Sequence, residues 1–144
     1  MVNGVAQNFE INNNFEEESV KDYLKQKIEY YKTEGQITDL YIAFEDKRLI
    51  CASGWVPDAG FDPTGRGWYK AAIAEGKAIF TAPYQDAQTK KMVVTVATPL
   101  KSNGKIIGVI GIDIFVDIIT EVVKKTDAGK NSYAFLIDKE NNII

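Results

Sequence analysis

Residues 105–116, KIIGVIGIDIFV, are the most apolar stretch of the chain. The apolar residues run almost without interruption instead of alternating with polar ones, which is the pattern of a central strand covered on both faces. This one segment therefore demands a sheet with a layer on each side. It also carries a carboxylate, Asp113, and a carboxylate is costly to bury without a partner. A second awkward charge, Arg66, lies in TGRGWYKAA, where a helix begins. A cation at a helix N-terminus opposes the macrodipole and calls for an anion nearby. Trp68, Tyr69 and Tyr84 accompany these charges in the pattern. One charge of each sign, each poorly placed for stability alone, points to a pocket for a small zwitterion.

The 144 residues suffice for about one domain with a real core. A net charge of −3 gives no reason to expect nucleic acid as a partner. The absence of histidine removes histidine-ligated haem, most zinc sites and any His-based triad. No metal, cofactor or catalytic residue is expected: there is no nucleophile elbow and no phosphate-binding glycine loop. The one cysteine, Cys51, reads as a small core residue. No run reaches the roughly 18–20 apolar residues that span a bilayer. The opening MVNGVAQNFEINNNF has no signal-peptide pattern. It reads as a cloning start, with membrane segments of a parent protein expected outside it.

Along the chain, residues 1–14 read as a loose, Asn-rich lead-in. A long helix is predicted over Glu16–Thr33, with Val20, Leu24, Ile28 and Tyr31 at helical spacing and Glu16–Glu18 in the first turn. Tyr23 and Tyr30 form a thinner second stripe, which either widens the buried face or meets a partner. Strands are predicted at Thr38–Phe44 and Arg48–Ser53, an irregular loop over Gly54–Gly65, and a helix over Gly65–Ala74 stopping at Gly76. Three strands follow at Ala78–Tyr84, Met92–Pro99 and Ile106–Phe115, then a closing helix over Val116–Lys125. This order is an α+β pattern around an antiparallel sheet. SYAFLIDKENNII (132–144) repeats the plan of LYIAFEDKRLI (40–50). A hairpin started there leads to the expectation that residues 126–144 are the truncated start of a second lobe of similar fold.

Arg66, Trp68 and Tyr69 crowd one helix start, where outward N–H groups suit an anion and the guanidinium offers a bidentate fork. Asp113 would take an ammonium, with Tyr84 adding a hydroxyl and the rings adding cation–π attraction. Plainer readings are open at this point. Trp68 and Tyr69 are equally consistent with helix core, Tyr84 with a surface aromatic, and Arg66 with a buried ion pair to Asp113.

The stretch RGWYKAAIAEGKAIFTAPYQDAQTKKMVVTVATPLKSNGKIIGVIGIDI resembles the ligand-binding lobe of double Cache domains, the PAS-like extracytoplasmic sensor modules of bacterial chemoreceptors. The resemblance covers about residues 15–144, with a membrane-distal, PAS-like lobe over 15–125. It implies an antiparallel sheet with a long N-terminal helix and a helix and loop layer over the ligand site. It also implies a membrane-anchored parent, a homodimer contact along the N-terminal helix and a small-molecule ligand, an amino acid foremost. By the same resemblance, Arg66 and Trp68 match positions holding the ligand carboxylate, and Tyr69, Tyr84 and Asp113 match those holding the ammonium. One position departs: the family has a tyrosine a few residues before the arginine, and this chain has Phe61. The implied function is sensing for chemotaxis. The alternatives are a histidine kinase or cyclase sensor for an amine or carboxylate, or a structural dimerisation module.

Overall fold

A computed structural model describes residues 2–32, 37–126, 137 and 143. Helix α1 spans Val2–Asn12, and α2 spans Glu17–Lys32. Strands β1 (Asp39–Phe44) and β2 (Leu49–Cys51) form a hairpin, followed by a 3-10 turn at Pro63–Gly65 and helix α3 (Gly67–Glu75). Two short strands, β3 (Ile79–Phe80) and β4 (Tyr84–Gln85), precede the long pair β5 (Met92–Ser102) and β6 (Lys105–Phe115), and α4 (Val116–Lys125) closes the order.

The sheet runs β2-β1-β6-β5-β3, with β4 also paired to β5, and every pairing is antiparallel. Strand β6 is thus central, as its unbroken apolar run requires. Alternation sorts its neighbours onto two faces. On one face Leu40, Ile42, Phe44, Ile110 and Ile112 pack with α1 and α2. On the other, Tyr41, Ala43, Ala97 and Val109 pack with Trp68, Tyr69 and Ala72 of α3. The α+β, PAS-like reading holds.

The lead-in does not. Residues 2–12 are helical, and Val2, Val5, Ala6 and Phe9 are buried in the same core as α2. Their spacing is i, i+3, i+4, i+7, a helical stripe that the surrounding Asn and Gly residues obscure. Docking across β5 and β6 overrides the weak propensity of those residues. Asn13, at φ 46°, ends α1 in the left-handed region that Asn tolerates, its N–H bonded to the Phe9 carbonyl at 2.8 Å. Tyr23 meets this same helix: its ring lies edge-on to Phe9, centroids 4.9 Å apart. The other member of the stripe, Tyr30, has a side chain outside the described residues.

The strand predicted over Ala78–Tyr84 is two short strands instead. Between them Thr81 keeps hold of β5 by donating its N–H to the Thr95 carbonyl (3.0 Å) and accepting the Thr95 N–H on its hydroxyl (2.9 Å). Pro83 has no donor with which to continue a ladder. Gly76 stops α3 as expected, at φ 64°. Of the predicted terminal hairpin, Ile137 and Ile143 are joined by an antiparallel bridge, and the rest lies outside the described residues.

Candidate ligand-binding site

The α3 face of the sheet bears a row of polar groups in an otherwise apolar layer. Asp113 on β6 is directly opposite Asp39 on β1 and Thr95 on β5. Residues directly opposite in a ladder project to one face, so the three side chains share it. Two residues back along β1, Tyr41 projects to that face too, opposite Gly111. An added Cβ on Gly111 would meet the Tyr41 ring, with the hydroxyl oxygen at 2.8 Å. The missing side chain is therefore what lets the ring lie over β6 and reach Asp113.

Asp113 is 5% exposed, and two hydroxyls converge on a single one of its oxygens. Thr95 donates to Oδ1 at 2.6 Å and Tyr41 donates to it at 2.9 Å. Tyr84 extends the chain, its hydroxyl 2.7 Å from that of Thr95. Since Thr95 gives its proton to Asp113, Tyr84 is the donor to Thr95. Burial pushes the Asp113 carboxyl up to about 6; the Thr95 and Tyr41 hydrogen bonds oppose that rise, and the nearby acids Asp86 and Asp39 add to it. Tyr84 is pushed up to about 12, first by burial and then by the Asp113 charge. Tyr41 is raised well above its ordinary value for the same two reasons.

Arg66 is the residue between the 3-10 turn and α3, with extended backbone at φ −73°, ψ 150°. Asp62 caps that turn, accepting from the Thr64 N–H at 3.0 Å, while Lys47 of the β1–β2 turn binds Asp62 at 2.7 Å. The loop is thereby pinned to the hairpin, and Arg66 emerges at a defined place. Its guanidinium lies over two rings, 5.7 Å from the Phe61 centroid and 5.9 Å from that of Tyr84. None of the ion pairs among the described residues includes Arg66. The Arg66–Asp113 pair left open by the sequence is not formed.

Phe61, Arg66, Trp68, Tyr84 and Asp113 line one cavity, of about 360 Å³ counted out to its mouth. That size is within the range of small-molecule sites. Tyr69 is the exception among the six expected residues. It is buried in the α3 core with its ring 5.8 Å from Trp68, and it does not line the cavity. Burial raises its phenol, followed by Glu45, Asp46 and Asp62, acids of the β1–β2 turn and of the 3-10 segment. Its hydroxyl therefore faces away from Asp113. At i+3 from Arg66 it shares a helical face in sequence, but Arg66 precedes the helix and the shared face is not realised.

Sequence reasoning missed Tyr41, Asp39 and Asp86, which also line the cavity, and Thr95, which binds Asp113. Tyr41 was read only as the partner of alternation in β1. Asp86 was read as a turn residue, and it does hold one: its Oδ2 accepts from the Thr89 N–H at 2.7 Å. Cys51 is a wall residue as well, buried, with its thiol raised by burial and by Asp39, Asp113 and Asp86. It is chemically quiet.

Replacing Gly111 with Ala is expected to cost about 1–3 kcal/mol of stability, the usual penalty for overpacking. It should also weaken ligand binding, because Tyr41 must leave Asp113. Chemical denaturation of the variant with and without ligand measures both effects.

The Cache domain family model matches residues 1–144. The methyl-accepting chemotaxis protein TlpB of Bacillus subtilis is 40% identical over 118 residues, which is 81% of this chain and 17% of TlpB. The ligand-binding domain of Pseudomonas fluorescens chemoreceptor CtaA, solved with L-serine, superposes with a TM-score of 0.83 at 27% identity, covering 99% of this chain and 59% of that one. The corresponding domain of the Pseudomonas aeruginosa amino acid chemoreceptor PctB, solved with L-Arg, gives 0.83 at 25% identity, covering 99% and 58%. With sheet order, helix layer and cavity all on the page, the match over the whole length places this chain in the Cache domain family.

Proposed function

We propose that this chain is the ligand-binding part of a membrane-anchored chemoreceptor and that its cavity holds a free α-amino acid. The observation that carries this reading is a pairing across one cavity. On one side is buried Asp113, whose Oδ2 takes no hydrogen bond among the described residues; on the other is Arg66, a guanidinium outside every ion pair there. An ammonium group at Oδ2 supplies the cation that Asp113 lacks. A carboxylate at Arg66 takes the bidentate fork, with the Trp68 indole as a further donor. Phe61 brings no hydroxyl to that end; its ring backs the guanidinium. The resemblance to CtaA and PctB, solved with L-serine and L-Arg, supports the same ligand class. The relatives named as chemotaxis proteins support that output. Tyr69 enters this reading as a residue that positions Trp68.

No helix among the described residues is long and apolar enough to cross a membrane. The anchor and the extracytoplasmic placement thus rest on the resemblance to receptors. A homodimer along α2 belongs to the same proposal. Asp22, Lys25 and Glu29 are exposed on the helix and carry charges of both signs.

Free amino acids should stabilise the chain against heat. A ligand at about 100 times its dissociation constant contributes about 2.7 kcal/mol. For any amino acid that binds, the N-acetyl derivative and the carboxamide should each bind at least about tenfold more weakly, since each removes one of the two charge pairings. Calorimetric titration showing equal affinity for blocked and free forms would sink the zwitterion reading.

A further inference from the structure

The cavity is charged asymmetrically. Its lining residues include three carboxylates, Asp39, Asp86 and Asp113, against one guanidinium, Arg66. All three acids are at most 9% exposed. A zwitterion brings one ammonium for Asp113 and one carboxylate for Arg66, which leaves the field of Asp39 and Asp86 uncompensated in a site of low dielectric. Asp39 is directly opposite Asp113 in the β1–β6 ladder, so the two carboxylate-bearing carbons are about 5 Å apart on one face. That places Asp39 beside an ammonium at Asp113, farther along the cavity. Asp39 is held rigidly: its Oδ1 accepts from the Leu40 and Ser53 N–H groups at 2.8 and 3.0 Å, and its Oδ2 accepts from the Ser53 hydroxyl at 2.5 Å. Gln88 reaches that same hydroxyl at 3.3 Å. The far end is thus built from β1, the Ser53 corner and the Asp86–Gln88 turn, with Trp55 as an aromatic wall. An aromatic wall next to carboxylates suits an organic cation.

Resting on the amino-acid reading above, we infer that the ligand carries a second basic group, an α-amino acid with a cationic side chain, seated between Asp39 and Asp86. Titration calorimetry of the 144-residue chain with L-lysine, L-ornithine, L-norleucine and L-glutamate tests this. Norleucine matches lysine in reach and lacks only the terminal charge. Lysine or ornithine should bind at least about tenfold more tightly than norleucine, and glutamate more weakly than either. Asp39→Asn keeps an acceptor for the Leu40 and Ser53 N–H groups, and should lower the lysine-to-norleucine ratio below about threefold. Should that variant not fold, raising salt from about 0.05 to about 0.5 M in the unaltered protein should narrow the same ratio. Norleucine or glutamate binding as tightly as both basic ligands overturns the inference and leaves the amino-acid site standing. A ratio unmoved by both Asp39→Asn and salt also overturns it. Binding of none of the four removes the inference together with the reading beneath it.

Discussion

Asp113→Asn is expected to weaken amino-acid binding by about 3–5 kcal/mol, two to three orders of magnitude, with the fold intact. The size follows from leaving an ammonium without its anion in a desolvated site. The fold survives because an amide oxygen still accepts from Tyr41 and Thr95, the two donors now on Oδ1. Its amide N–H₂ then faces the ammonium, donor against donor. The same substitution has an opposite effect on the ligand-free protein. The Asp113 carboxyl is raised to about 6 by burial, so the folded state binds its proton more tightly than the unfolded state does. A raised acid contributes stability below the unfolded value, and that contribution is lost as pH rises through about 6. The ligand-free wild type should therefore lose stability between about pH 4 and pH 6 relative to Asp113→Asn, by up to about 3 kcal/mol. Ligand affinity should move the other way. An ammonium prefers the ionised carboxylate, so affinity falls as pH drops below about 6, by up to tenfold per unit. Denaturation and titration calorimetry across pH 4–8 read both trends. A wild-type affinity flat through pH 6 would remove Asp113 from contact with the ligand charge.

Arg66→Ala is the second large effect, an expected loss of about 2–5 kcal/mol in binding. The guanidinium is outside every ion pair among the described residues, so its removal strands no protein carboxylate. It does remove the cation that rests over Phe61 and Tyr84, contacts worth about 0.5–1 kcal/mol at a partly exposed site. Stability should thus change little while affinity collapses. The discriminating measurement uses ligand chemistry. In wild type, converting the ligand carboxylate to an amide costs affinity; in Arg66→Ala the acid and the amide should bind alike. If the variant still prefers the acid, another group holds the carboxylate.

Much of the sheet was legible beforehand because its signals are local. The unbroken apolar run of 105–116 meant a strand covered on both faces, and β6 is that strand, between β1 and β5. Alternation in 38–44 put Leu40, Ile42 and Phe44 on one face, and they share the α1 and α2 core. Helix α1 was missed for a physical reason. An eleven-residue helix with Gly and Asn in it is marginal alone, and it exists because Val2, Val5, Ala6 and Phe9 have a sheet to dock on. The Tyr69 expectation erred on a boundary: one residue of shift in the start of α3 decides whether Arg66 and Tyr69 share a face.

What the sequence by itself determined is the presence of two charges that need partners, Asp113 in a central strand and Arg66 before a helix, because burial and helix polarity penalise charges wherever the chain goes next. Which groups answer those charges was decided only by tertiary structure. Strand register places Asp39 and Thr95 in the row of Asp113, and the bare Cα of Gly111 lets Tyr41 reach it. Register and close approach bring together residues up to 75 positions apart, as Thr38 and Asp113 are in their hydrogen bond. No spacing along the chain encodes such meetings; they arise when two faces of one sheet must both be buried at once.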